Sequence, residues 1–419
     1  MAAITLRCSS AGIAMLYICS LFALPAVAPP VRRAVNAAPA VAVASPTLIS
    51  DEAAFMAKKF KYKCEICSLV LEKKKHLEEH ERGKKHRAAV ERADHFWERY
   101  EKSVWYDPAV PRSAVVNAFS FNAFLDGLVR RTRMGGVQPV LTAMGDGCVS
   151  PHVSLAHLDA TKRAMLFRYL DEHARDTHYE RVLMRLERDH GSKYTRIKEI
   201  LESVETYRKM VELVQRPTAP RRTDSSAADK DVTLGGIHDV ACGHGLAGLL
   251  LAAHYPAVPL TSSDLVRRES YAAHVQAWRD EGVALANARF VQGNFTELYD
   301  VAGDAHGDAH GDAPPEAMAP NSLVLCVHGC NDASKAAVEL AQQHGAGWAV
   351  VPCCMQNGYA PSVESLRLSD EHRYVLLCGA MAATYRASVV WSLEARVTPR
   401  SVILAAAPRE GTAAETRPR

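Results

Sequence analysis

The sequence predicts an α/β protein: a C-terminal sheet of mostly parallel strands, preceded by a helical region and a small ββα module held by metal ligands. Three observations predict it. From residue 233 onward, strand-like apolar runs alternate with helix-like segments, and such alternation requires a parallel sheet covered by helices. Residues 88–222 repeat apolar positions at three- and four-residue spacing, the period of amphipathic helices. Between residues 55 and 93, two cysteines and two histidines stand at the spacing of a metal site.

Composition bounds the reading. The chain has 419 residues, 48% hydrophobic and 23% charged, with a formal net charge of +3. That apolar fraction supports a sizeable core, and the length suits two or three domains. Near-balanced charge excludes a histone-like polycation. The eleven cysteines are an odd number, and Cys353 and Cys354 are adjacent. They read as reduced thiols and metal ligands rather than a disulfide framework.

Residues 1–50 are a targeting presequence. No acidic residue precedes Asp51, and an apolar run from Ala11 to Ala28 is broken by Pro25. One arginine, an apolar core and small residues near its end describe a signal-peptide core, which is shorter than a membrane span. The following VRRAVNAAPAVAVAS is rich in Arg and Ala and free of acid, as transit peptides are. The pair resembles the bipartite presequences of algal plastids with extra membranes, and FALPAVAPP resembles their cleavage region. The resemblance implies a plastid protein, with mitochondrion or secretory pathway as alternatives, and no stable membrane association once the presequence is removed.

In residues 55–93, Cys64, Cys67, His80 and His86 form C-x2-C-x12-H-x5-H. A knuckle and a helix at this spacing offer two thiolates and two imidazoles to one structural Zn²⁺. Tyr62, Leu71 and Leu77 occupy the apolar positions of a miniature ββα core. His76 stands too close to Cys67 to serve as a ligand and is expected at the surface. The long histidine gap and His80-Glu81-Arg82-Gly83-Lys84-Lys85-His86 resemble the matrin/U1-type subclass of C2H2 zinc fingers. That resemblance implies RNA, particularly structured or double-stranded RNA, as partner. Lys58 to Arg92 holds twelve Lys/Arg against six Asp/Glu, and basic side chains tracking phosphates bind without regard to sequence. The alternative is a structural finger with a solvated charged face.

Residues 94–216 read as helices: one around RAAVERADHFWERYEKSVWY, another over AFSFNAFLDGLVRRTR, and a long stretch from Asp159 to Val214 broken at Gly191. Nothing in this region has catalytic spacing, and His152, His157, His173 and His178 are too scattered for a second metal site. Residues 217–231 are a linker by composition.

Residues 232–410 carry the chemistry. GIHDVACGHGLAGLLLAAHYP reads as strand, glycine turn and helix, with Asp239 near the strand end and Gly243 and Gly245 in the turn. VPLTSSDL ends a second strand at Asp264, where an acid accepts hydrogen bonds from both hydroxyls of a ribose. ARFVQGNF gives a third strand ending at Asn294, SLVLCVHGCND a fourth and GAGWAVVPCCM a fifth. VVWSLEARVT and RSVILAAAP close the chain as two strands with no helix between them, an antiparallel hairpin at the sheet edge. Residues 300–320 contain the repeat GDAHGDAHGDA, a surface insertion, and residues 411–419 form a disordered tail.

DVACGHG resembles the first motif of class I S-adenosylmethionine-dependent methyltransferases, and the element order matches their seven-stranded, Rossmann-like sheet. A dinucleotide-binding G-x-G-x-x-G is not matched, and there is no Walker lysine. The resemblance implies S-adenosyl-L-methionine as cofactor, with Gly243 and Gly245 against its methionine moiety and Asp264 on its ribose. Asp239 completes the cofactor set, and Asn294, standing where an Asp is common, pairs with the adenine edge. VHGCND (327–332) and VPCCM (351–355) resemble a methyltransferase-like subgroup with H-x-C-[DN] after strand four and PCC after strand five, near the zinc-finger-bearing tRNA 2′-O-methyltransferases. This implies His328 as a general base, Asn331 or Asp332 orienting the acceptor, and Cys353 and Cys354 at its pocket. A thiolate route to carbon-5 of cytosine is a further alternative. The function expected is methylation of structured RNA, tRNA or rRNA, recruited by the finger. The alternatives are an inactive methyltransferase-fold RNA- or protein-binding factor, and a protein or small-molecule methyltransferase with a structural finger.

Overall fold

The computed structural model describes residues 62–117, 121–129, 148–216, 234–300, 318–319, 321–329, 332–353, 363 and 366–408. The presequence, the linker 217–231, most of the 300–320 insertion and the tail lie outside the described residues, as do Cys330, Asn331 and Cys354.

The N-terminal module is a hairpin and a broken helix. β1 (Tyr62–Cys64) pairs antiparallel with β2 (Leu69–Leu71), with Cys64 opposite Leu69. α1 (Lys74–Arg82) and α2 (Lys84–Glu101) are separated only by Gly83, whose extended φ −71°, ψ 149° interrupts the helix. Tyr62, Leu71 and Leu77 are half-buried and His76 is exposed. α2 then runs unbroken past position 93 and buries Ala93, Phe96 and Tyr100 at three- and four-residue spacing. Its far end is anchored by Arg99, whose guanidinium donates to both oxygens of buried Asp171 at 2.9 and 2.8 Å.

The helical region departs from its sequence pattern in two places. Within the segment expected as a helix from Ala118 the described residues form α4 (Phe121–Leu128), and a short helix the periodicity did not indicate, α3 (Arg112–Val116), precedes it. The long stretch breaks twice: α5 (Ala160–His173), α6 (Tyr179–His190) and α7 (Ile197–Val214) are separated at His178, in the left-handed region with φ 57°, and at Gly191. Periodicity detects the apolar stripe on each side of a break but not the turn between them, because local turns interrupt the helix without disturbing composition.

The sheet has seven strands: β3 (Ile237–Val240), β4 (Leu260–Asp264), β5 (Ala288–Gln292), β6 (Leu323–Val327), β7 (Gly347–Val351), β8 (Val389–Ser392) and β9 (Val402–Ala406). Their spatial order is β5-β4-β3-β6-β7-β9-β8, and β9 runs antiparallel to both neighbours. The connecting helices are α8 (Leu246–His254), α9 (Glu269–Asp280), α10 (Phe295–Asp300), α11 (Ala333–Gln343) and α12 (Asp370–Thr384). Side chains alternate between faces as the pleat requires. Leu323, Leu325, Ala349 and Val351 join a core that extends through α8, α9 and the helical region to Phe96. Val324, Cys326, Trp348 and Val350 join a second core beneath α11 and α12. α7 contributes twelve buried residues, among them the charged Glu202 and Glu205. Helical region and sheet therefore share one continuous apolar interior.

Candidate active site and metal centre

The ligand atoms of Cys64, Cys67, His80 and His86 all lie within 4.8 Å of one another, the one such group among the described residues. His86 Nδ1 is 3.4 Å from Cys64 Sγ and 3.6 Å from Cys67 Sγ. Bond lengths near 2.0–2.3 Å place the ligand atoms of a tetrahedral zinc about 3.3–3.8 Å apart. His80 Nε2 is buried with no hydrogen-bond partner in the protein, a cost that a cation would remove. The break at Gly83 makes the five-residue histidine gap workable: α1 carries His80, α2 restarts and returns His86 to the same point. A Cβ at Gly83 would meet the His80 carbonyl oxygen at 2.9 Å. The residues fit a zinc ion.

At the carboxyl ends of the parallel strands, the β3–α8 turn has three consecutive odd positions at positive φ: Ala241 (50°), Gly243 (59°) and Gly245 (68°). The Gly243 amide donates to Asp264 Oδ2 at 2.8 Å, so the acid at the end of β4 and the turn are already joined. A Cβ at Gly243 would meet only Arg268 Nε, at 4.0 Å; this is open space over a backbone turn, as a cofactor cradle requires. Leu265 and Val266, directly after the acid, are 67% and 62% exposed and offer an apolar surface to a flat base. Turn, acid and apolar pair fit a nucleoside cofactor.

The remaining cofactor candidates take structural tasks in this structure. Asp239 is buried against α8, where a Cβ at Gly248 would meet its Oδ2 at 2.5 Å. Burial raises its carboxyl to about 7, with the Asp264 charge adding and the Gly248 amide opposing. Asn294 lies beyond β5, which ends at Gln292 rather than at the asparagine. Its Oδ1 accepts from Thr296 N and Oγ1 at 3.2 and 2.9 Å, capping α10.

Beside the cradle opens a cavity of about 640 Å³. Its sheet wall is His244 of the glycine turn, His328 after β6 and Cys353 after β7. Its opposite wall is Lys198, Glu199 and Glu202 of α7, with residues 148–152 and Thr398–Arg400 closing the sides. His328 has φ 55°, in the left-handed region that residues other than glycine seldom occupy. Two bonds hold it there: its amide donates to Val351 O at 2.9 Å, and the Cys353 thiol donates to its carbonyl at 3.4 Å. Glu202 Oε1 lies 3.4 Å from His328 Nε2 and accepts from Lys198 Nζ at 2.6 Å. Burial alone would raise the Glu202 carboxyl, but His328 and Lys198 together hold it below the usual range. His244 accepts from the Leu246 amide at 3.2 Å, and burial lowers it to about 4, so it is neutral at pH 7.

The structure thus brings His328, Cys353 and the glycine turn to one place. Asp332 is exposed at the start of α11, away from the cavity lining. The helical region, which showed no catalytic spacing, supplies Lys198 and Glu202 one turn apart, together with Cys148 and His152. The available signal was an i, i+4 Lys–Glu pair on α7, a spacing shared by many solvent-facing helices. Cys378 is buried in α12, its thiol pushed up to about 12 by burial.

Strand order, glycine turn and strand-end acid define the class I methyltransferase fold. No protein-family model matches the chain, and no curated protein matches it. Among solved structures it is similar to an O-methyltransferase family protein from Burkholderia thailandensis, at 14% identity over 59% of this chain and 72% of that one, with a TM-score of 0.27. It is also similar to a human methyltransferase 10 domain containing protein (11% identity, 56% and 98% coverage, TM-score 0.29). A third is a geranyl diphosphate methyltransferase in complex with GPP and sinefungin (12% identity, 57% and 99%, TM-score 0.28). These likenesses are weak, and the fold assignment stands on the strand order.

Proposed function

We propose that the protein is an S-adenosylmethionine-dependent methyltransferase whose zinc finger recruits structured RNA. The observation that carries the enzymatic part is one juxtaposition: an open, positive-φ glycine turn joined to Asp264, bordering a cavity that holds His328. In this reading Gly243, Gly245 and Asp264 hold the cofactor, which supplies an electrophilic methyl group. The residues around the cavity position the acceptor, and Cys64, Cys67, His80 and His86 hold a structural zinc. Exposed Lys73, Arg82, Lys84, Lys85 and Arg87 on the finger and the start of α2 support phosphate binding. Delivery to a plastid through residues 1–50 belongs to the same proposal, and a fluorescent fusion to those residues tests it.

Incubation of purified protein with labelled cofactor and total organellar RNA, followed by digestion, yields a labelled nucleoside. Titration calorimetry with S-adenosylhomocysteine gives binding that Asp264→Ala weakens. No binding in wild type would leave the inactive docking factor as the reading. Activity that survives deletion of residues 55–93 would favour a protein or small-molecule acceptor.

A further inference from the structure

Most class-defining residues of the sheet lie in its own loops, but the charged group nearest His328 comes from outside. Glu202 is on α7, in a helix that precedes the glycine turn in the chain, and its carboxylate is 7% exposed at the side chain. A buried carboxylate requires partners, and its two are Lys198 at 2.6 Å and His328 at 3.4 Å. The second distance is long for a hydrogen bond, as is common where a substrate has still to close the site. His328 is in turn fixed at positive φ by Val351 and Cys353, a strained placement of the kind retained at functional sites.

We propose that Glu202 and His328 form a proton-accepting pair, and that the acceptor is therefore a group that must lose a proton, a hydroxyl or an N–H. This rests on the methyltransferase reading above and deepens it. With Nε2 turned toward Glu202, the neutral imidazole carries its proton on Nε2 and presents Nδ1 as base. As the acceptor O or N forms its bond to the methyl carbon, the carbon–sulfur bond breaks with its electron pair going to sulfur. The acceptor proton passes to His328 Nδ1 and then to solvent. Glu202 stabilises the imidazolium so formed and is a positioning residue. An acceptor attacking through a ready lone pair, such as a thioether, would need no such pair. Eight titratable groups surround the histidine or line its cavity: Glu202, Lys198 and Glu199 on α7, His244 in the turn, Cys353 after β7, Cys148 and His152 ahead of α5, and Arg400. Lys198 opposes formation of an imidazolium at this place and Glu202 favours it.

The test follows histidine nitrogens by NMR in cofactor-free wild type and Glu202→Gln, with His328→Asn for assignment. S-adenosylhomocysteine binding by calorimetry and pH–rate profiles with RNA run in parallel. The proposal expects an Nε2–H tautomer in wild type and a His328 pKa lowered by about one unit or more in Glu202→Gln, the effect of losing an opposite charge at this range. It also expects kcat lowered at least about tenfold with KM for RNA unchanged, and the alkaline-rising limb of the profile moved to lower pH. S-adenosylhomocysteine affinity stays equal in all three proteins. An unchanged His328 pKa, or a loss of cofactor affinity in Glu202→Gln, overturns the pair while leaving the methyltransferase reading intact. Absence of S-adenosylhomocysteine binding in wild type overturns the methyltransferase reading and the acceptor assignment with it.

Discussion

At Gly243 a Cβ would enter open space, with Arg268 Nε at 4.0 Å as the nearest atom, whereas at Gly245 it would enter the Tyr271 ring at 2.5 Å. Both residues have positive φ, so alanine strains either by about 1–2 kcal/mol. The difference between the two sites separates binding from stability. Gly245→Ala adds overpacking of about 1–3 kcal/mol and is expected to lower the free energy of unfolding by about 2–5 kcal/mol. Gly243→Val is expected to fold with a smaller loss and to weaken S-adenosylhomocysteine binding by tenfold or more. Denaturant melts and calorimetry on the two variants check this; equal losses of stability and affinity in both would refute it. Sequence alone shows two glycines in one turn. Which of them faces open space and which faces a tyrosine depends on α9, which is brought over the turn only when the sheet forms.

Among elements, α2 joins two parts that sequence composition separates. It carries His86 at its first turn and buries Phe96 and Tyr100 against Phe167 at its far end, with ring centroids 5.9 and 5.6 Å apart. The finger ahead of it has little core of its own: α1 buries no residue, and Tyr62, Leu71 and Leu77 are only half-buried. A metal held by Cys64, Cys67, His80 and His86 would therefore supply most of its folding free energy. Chelation is expected to release β1, β2 and α1 while the second half of α2 stays docked. Hydrogen exchange should show loss of protection confined to residues 62–86, with S-adenosylhomocysteine affinity unchanged. Loss of protection at Phe96 and Tyr100 would show instead that the metal holds the whole helix. The C-x2-C-x12-H-x5-H spacing made this site legible in the sequence, because its ligands are close along the chain. The joint at Gly83 was not legible as a break, since an isolated glycine is tolerated inside helices.

Across the whole molecule, one apolar core runs from Phe96 through α7 to Ala405. Residues 232–410 expressed alone are expected to be insoluble or molten, because the faces of α8 and α9 that pack on the helical region would be exposed. A dispersed amide spectrum from that fragment would overturn this expectation. Buried ionisable groups set the pH response. His238, His244 and His274 are lowered to about 4, chiefly by burial, so the unfolded chain takes up their protons between pH 6.5 and 4 and stability falls with acidification. Asp239, raised to about 7, works in the opposite sense: its contribution is present below the usual carboxylate pKa and is lost as pH rises through 7. Three groups against one leave a net loss of about 2–3 kcal/mol per pH unit on acidification across this window. Chemical denaturation of cofactor-free protein from pH 4 to 7 measures it, and His274→Gln should flatten the slope.

The sequence by itself determined the Cys64–Cys67–His80–His86 group, the strand–helix alternation, the glycine turn and the acid after β4. Each is written in neighbouring residues or in a period of two or 3.6, so local chemistry suffices to reveal it. Only the tertiary structure decided that Asn294 caps a helix, that Asp332 is exposed and outside the cavity lining, and that Glu202 stands beside His328. Those two residues are 126 positions apart in the chain. No local pattern relates them; the packing of α7 over the carboxyl edge of the sheet does, because burying its apolar stripe brings Glu202 to the residue that follows β6.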